Sequence, residues 1–169
     1  MIVLVGFMGG GKTTVGRLLA TRLGLPFVDT DDVITTRDGR TVPEIFAADG
    51  ETAFRDHEEA VIAEVLAGPE SVVSLGGGAC GRVGTRERLA GHDVVHLRAS
   101  FAETQRRIGG DPGRPMLARP DLAEIYTARQ EVYASVAGRV LDTDGRSAAE
   151  IAEFLLAAPV PTHPTEETR

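Results

Sequence analysis

The chain has 169 residues, 42% of them hydrophobic and 25% charged, with a formal net charge of −7. That is the size and composition of one globular domain, large enough to bury a core without disulfide or metal staples. An acidic chain has no general attraction for nucleic acid or anionic lipid, so neither is an expected partner, and any anionic ligand must be held by local cations.

No apolar run approaches the ~18 residues that a membrane span needs. The apolar start, Met1-Ile2-Val3-Leu4-Val5, has no basic flank and runs into Gly6, so it reads as a strand rather than a signal peptide. Cys80 has no second cysteine to pair with. It reads as a packing residue in a reducing, cytoplasmic setting. Of the 18 basic residues one, Lys12, is lysine and the others are arginine; Lys12 therefore stands where arginine does not serve.

In chain order, short Val-, Ile- and Leu-rich runs at 2–5, 27–28, 71–75, 94–97 and 140–141 predict strands buried on both faces. Between them, Val15, Leu18, Leu19 and Leu23 share one helical face, as do Phe54, Glu58, Val61, Ile62 and Val65. Gly24 is placed to end the first of these helices. Capping-box patterns at Thr41/Glu44, Ser100/Glu103 and Ser147/Glu150 mark three helix starts. The alternation predicts a parallel sheet with helices on both faces and a ligand site beyond the carboxyl ends of the strands. Residues 109–120, punctuated by Gly and Pro and carrying arginines, read as a mobile loop. Residues 1–158 form the expected single domain, and 159–169, with Pro159, Pro161 and Pro164, an expected disordered tail.

Gly6-Phe7-Met8-Gly9-Gly10-Gly11-Lys12-Thr13 matches G-x-x-x-x-G-K-[ST] between a predicted strand and a predicted helix. Glycines let the backbone N–H groups turn toward phosphate oxygens, and the helix start adds its positive end. Lys12 is placed to reach the β- and γ-phosphates, and Thr13 to ligate Mg²⁺. The second strand ends in Phe27-Val28-Asp29-Thr30-Asp31-Asp32. Alternation along a strand projects Asp29 and Asp31 similarly: one carboxylate for the metal's water shell, the other to orient or deprotonate an attacking hydroxyl. The same residues also suit a helix cap. Arg55 lies three residues before Glu58 on one helix, and Arg129 sits on a later one. Two converging arginines would clamp a carboxylate, although a solvated surface position suits either equally. Gly76-Gly77-Gly78 follows the third strand and would let backbone approach a ligand closely.

The ordered set of phosphate loop, D-T-D, G-E-x-x-F-R-x-x-E, G-G-G and R-P-M-L resembles the shikimate kinase family, from Met1 to about Leu156. The resemblance implies a three-layer α/β/α nucleoside-monophosphate-kinase-like P-loop fold whose five-stranded parallel sheet has order 2-3-1-4-5. It implies transfer of the γ-phosphoryl group of ATP, with Mg²⁺, to the 3-hydroxyl of shikimate, a step of aromatic amino acid biosynthesis, by a monomer. By position, Lys12, Asp31 and Arg114 look catalytic. Gly9, Gly10, Gly11, Lys12, Thr13, Thr14 and Arg114 look like ATP contacts, with Arg107 and Arg146 flanking the adenine. Asp31, Arg55, Gly77, Gly78 and Arg129 look like the shikimate site, and Thr13 and Asp29 the metal site. Gly10 stands where the family often has serine, and Met116 where it has leucine. Arg129-Gln130-Glu131-Val132-Tyr133 lacks the proline of the family's R-x-P-x-Y. Two other readings remain: a kinase of another hydroxylated metabolite such as gluconate, and a non-catalytic nucleotide-binding module.

Overall fold

A computed structural model describes residues 1–109 and 119–157. Most of the expected 109–120 loop, including Arg114 and Met116, and the 159–169 tail lie outside the described residues. Five parallel strands, β1 (Ile2–Val5), β2 (Phe27–Asp29), β3 (Val72–Ser74), β4 (Asp93–Arg98) and β5 (Arg139–Asp142), stand in the order β2-β3-β1-β4-β5. The order and all five strand positions agree with the sequence reading. Helices α1 (Lys12–Leu23), α2 (Thr30–Asp38), α3 (Val42–Leu66), α4 (Val83–Arg88), α5 (Phe101–Ile108), α6 (Leu122–Val136) and α7 (Ala148–Ala157) connect or follow them.

Strand alternation divides the core. On one face of β1, Leu4 joins Val72, Val95 and Leu97 beneath Val15, Leu19, Ile151 and Leu155 of α1 and α7. On the other, Val3 and Val5 join Val73 and Val94 beneath Ile62 of α3 and Leu122 and Tyr133 of α6. A third cluster, Ile34, Ile45, Phe54 and Val61, ties α2 to α3. The long α3 is broken at Gly50, whose φ of 83° and ψ of 168° are not helical. The break re-aims the chain, so that the Glu51–Leu66 portion lays Phe54, Glu58, Val61 and Ile62 inward.

Two local expectations are corrected. Leu23, expected on the buried face of α1, is 39% exposed in its last turn; Gly16 and Ala20 are buried there instead. The reason is close packing, since a Cβ on Gly16 would collide with the Phe27 ring and stand 3.1 Å from Leu4 Cδ1. The Ser100/Glu103 box is half formed. Ser100 Oγ accepts from the Glu103 N–H at 3.2 Å, but the Glu103 carboxylate turns to Arg106 and Arg107, and the Ser100 N–H donates to Asp144. Two guanidinium donors outcompete one amide. At Thr41 and Ser147 the glutamates do reach back to the cap N–H, both at 2.7 Å. Gly24 ends α1 in the left-handed region as expected.

Gly16→Val should cost about 1–3 kcal/mol of unfolding free energy, because α1 must lift off Phe27. Chemical denaturation reads this directly, and a change below about 0.5 kcal/mol would show that the α1–β2 contact yields freely.

Candidate active site

Beyond the carboxyl ends of β1, β2 and β3 lies a cavity of about 900 Å³. Its walls include Gly9, Gly11, Lys12, Thr13, Thr14, Asp29, Asp31, Arg55, Gly77, Gly78, Arg107 and Arg129. Gly10 is buried within the phosphate loop, and Arg146 is exposed on the turn before α7; neither is part of that wall. Arg114 is outside the described residues.

The phosphate loop is pressed onto the end of β4. Gly6, with φ of 148°, would place a Cβ 2.5 Å from the Leu97 carbonyl oxygen. Gly9 and Gly11 hold φ of 74° and 89°, a region costly for other residues. A Cβ on Gly10 would meet the Phe7 and Leu97 carbonyls at 3.0 and 3.1 Å, so a serine there needs a small shift of the loop. Lys12 Nζ donates to the Gly6 and Phe7 carbonyls at 2.9 and 3.1 Å, across the loop's mouth. Arg107 braces the loop from α5. It donates to Gly9 O at 3.1 Å and to Thr143 Oγ1 and O at 3.2 and 3.0 Å, while Glu103 holds its Nε at 2.7 Å.

Asp29 and Asp31 both reach the cavity, but not through strand alternation as expected. β2 ends at Asp29 and α2 starts at Thr30, so Asp31 is presented by a helix's first turn. Asp29 caps that helix, with Oδ1 accepting from the Asp31 N–H at 3.1 Å. Its Oδ2 takes the Thr13 hydroxyl at 2.9 Å. Capping and site geometry therefore coexist in one carboxylate. Burial, and then the neighbouring Asp29, push the Asp31 carboxyl above its usual range against the pull of Lys12 and Arg55.

Arg55 and Arg129 converge, as the clamp reading requires. A Cβ on Gly78 would stand 2.5 Å from Arg55 Cζ, and one on Gly77 would stand 3.8 Å from Arg129 Nη1. Arg55 lies against the adjacent Phe46 and Phe54 rings, 5.6 and 5.2 Å from their centroids, and Arg129 lies over Phe7 at 5.6 Å.

Three further residues were not assigned to the site from sequence. Glu58, 1% exposed, bonds Arg55 at 2.5 Å. It flanks Gly76 together with Asp31: a Cβ there would stand 2.6 Å from an oxygen of each carboxylate. Burial pushes the Glu58 carboxyl up, and Arg55 opposes the shift. Thr30, fully buried, accepts from the Gly76 N–H at 3.1 Å and donates to the Ser74 carbonyl at 3.3 Å, locking the end of β3 to β2. Tyr133 donates its hydroxyl to the Gly77 carbonyl. The Arg55/Glu58 spacing and the retained Arg129/Tyr133 spacing were visible signals for two of these; Thr30 stood in the D-T-D motif, but nothing local pointed to its partners at Ser74 and Gly76. Cys80 is buried with its thiol pushed up to about 12 by burial, in keeping with a packing role.

The shikimate kinase family profile matches residues 8–158. A shikimate kinase of Mycobacterium tuberculosis is 47% identical over 159 residues, covering 92% of this chain and 90% of the relative. One of Thermobifida fusca is 46% identical over 158 residues, with 92% of each covered. The solved structure of shikimate kinase from Acinetobacter baumannii in complex with shikimate superposes with a TM-score of 0.88 at 36% identity, covering 92% of this chain and 89% of that one.

Arg55→Ala would leave Glu58 buried without its cation and raise its carboxyl pKa further. A raised folded-state pKa means that the unfolded chain ionises first, so stability falls as pH climbs above about 4.5 toward the folded value. The variant should therefore lie closer to the parent in denaturation midpoint at pH 5 than at pH 8, and adding Glu58→Gln should flatten that difference. A pH-independent gap would contradict the pairing. Sequence, fold and cavity agree: the chain belongs to the shikimate kinase family.

Proposed function

We infer that the chain catalyses ATP-dependent phosphorylation of the 3-hydroxyl of shikimate, giving shikimate 3-phosphate and ADP. One observation carries the reading. Arg55 and Arg129 flank the Gly77-Gly78 backbone in the same cavity that holds Asp31 and the phosphate loop. A cationic pair suits the acceptor's carboxylate, and an ionised carboxylate suits its hydroxyls.

In this reading the loop N–H groups and Lys12 cradle the phosphates, and Lys12 leaves the Gly6 and Phe7 carbonyls to do so. Asp31 orients the 3-hydroxyl and accepts its proton as the oxygen attacks the γ-phosphorus; the bond to the β-bridging oxygen breaks and ADP departs. The raised carboxyl of Asp31 brings it nearer the basicity that such a transfer needs. Arg114 is proposed as the lid arginine stabilising the transferring group, and 109–120 as the lid that keeps water out. Arg107 and Arg146 are proposed on the adenine side, since Arg107 grips Thr143 just ahead of Arg146.

A magnesium ion fits Thr13 and Asp29, a hydroxyl and a carboxylate oxygen 2.9 Å apart at the helix start. When bound it would neutralise phosphate charge. Among the described residues no helix is long and apolar enough to cross a membrane. A monomer of one domain over 1–158, working in the cytoplasm, completes the proposal, with the unpaired buried Cys80 suiting a reducing compartment.

ADP release should depend on shikimate and not respond to gluconate; release that is equal with and without shikimate would overturn the reading. Lys12→Met should lower kcat by about 100- to 1000-fold. Arg55→Ala and Arg129→Ala should each raise the shikimate KM by about 10- to 100-fold with little change in the ATP KM. Equal damage to both KM values would place these arginines elsewhere in the reaction.

A further inference from the structure

Among the described residues His96 is the one imidazole in the sheet interior, on β4, and the reaction as described makes no use of it. It is 1% exposed, and neither ring nitrogen has a hydrogen-bond partner among the described residues. Its strand neighbours Val94, Val95 and Leu97 are all buried aliphatics. An apolar residue would fit that setting without stranding polar atoms, which burial penalises.

Its surroundings are those of the active site's underside. His96 pairs in register with Val5, the residue before the phosphate loop. Its Cδ2 edge is 3.6 Å from where a Cβ on Gly6 would stand. Its other ring neighbour is Tyr133, with centroids 5.1 Å apart, and Tyr133 holds the Gly77 carbonyl. Gly77 in turn backs onto the loop: a Cβ there would stand 3.6 Å from both Gly6 O and Met8 N. One ring thus underlies the nucleotide cradle and, through Tyr133, the backbone beside the two arginines.

A loop carbonyl is the candidate partner. Gly6 O accepts from Lys12 at 2.9 Å, whereas Phe7 O accepts from Lys12 and also from the Gly10 N–H at 3.1 Å and so keeps a donor. Once Lys12 turns to phosphate, Gly6 O gives up that donor, and the His96 ring lies against Gly6 with an N–H to spare. The charged or titratable groups felt at the ring are Arg98, Asp142 and Lys12, and burial holds its pKa down at about 4, so the ring is neutral near pH 7 and carries a single N–H.

We propose that His96 is a positioning residue for phosphoryl transfer, its ring N–H taking over a phosphate-loop carbonyl that Lys12 releases when nucleotide binds, and so fixing the spacing between loop and acceptor backbone. The proposal rests on the kinase reading above for its catalytic consequence, but not for its hydrogen bond.

Two measurements test it. Side-chain ¹⁵N spectra of the full chain, without ligand and with Mg–ADP, should show a neutral imidazole in both and a downfield amide-type proton with a shifted ring nitrogen only with Mg–ADP. An His96 signal unchanged by Mg–ADP overturns the proposal, whether or not the chain phosphorylates shikimate. His96→Phe keeps the ring and removes the nitrogens. It should be at least as stable as the parent yet lose about tenfold or more in shikimate-dependent kcat, and His96→Gln, which retains an N–H, should recover part of that loss. Parent-like kcat in His96→Phe, or a loss tracking only the fraction unfolded, also overturns it.

Discussion

Two glycines, Gly76 and Gly78, make room for the charged groups of this cavity. A Cβ on Gly76 would press on both Asp31 and Glu58, and one on Gly78 would stand within the Arg55 guanidinium. The strip from 76 to 78 is therefore the floor on which two carboxylates and two arginines meet. Thr30 and Tyr133 pin its backbone from opposite ends, through the Gly76 N–H and the Gly77 carbonyl. Gly77 lies against the phosphate loop, where a Cβ would make ordinary contact 3.6 Å from Gly6 O and Met8 N, so the loop and the glycine strip share a wall of the cavity.

Charge is balanced around that floor rather than simply positive. Glu58 neutralises Arg55 at 2.5 Å inside the protein, which holds the guanidinium in place. Removing one partner of such a buried pair costs more than the pair contributes, because the survivor is left uncompensated. The aromatic rings of Phe46, Phe54 and Phe7 lie against the two guanidinium groups. Preorganised groups of this kind lose little freedom on binding, so more of their interaction appears as affinity.

The architecture was legible because its signals are local: five short aliphatic runs, a glycine bend before a helix, and capping residues at fixed offsets. The strand order came from resemblance, since pairing is non-local. Most cavity-lining residues were legible through motifs. What escaped were supports whose partners lie far along the chain, as Thr30 does from Gly76 and Tyr133 from Gly77. Geometry also replaced one reason with another: Asp31 reaches the cavity from a helix turn, not a strand face. Leu23 failed as a core residue because periodicity cannot say that Gly16 and Ala20 bring α1 closer to Phe27 than a leucine would permit.

The most direct test is a crystal structure of the chain with Mg–ADP and shikimate bound together. The acid's carboxylate should be bridged by the guanidinium groups of Arg55 and Arg129 over Gly77-Gly78, with its 3-hydroxyl within about 3 Å of an Asp31 oxygen. An acid bound with its carboxylate away from both arginines, or in a separate pocket from the phosphate loop, would contradict it.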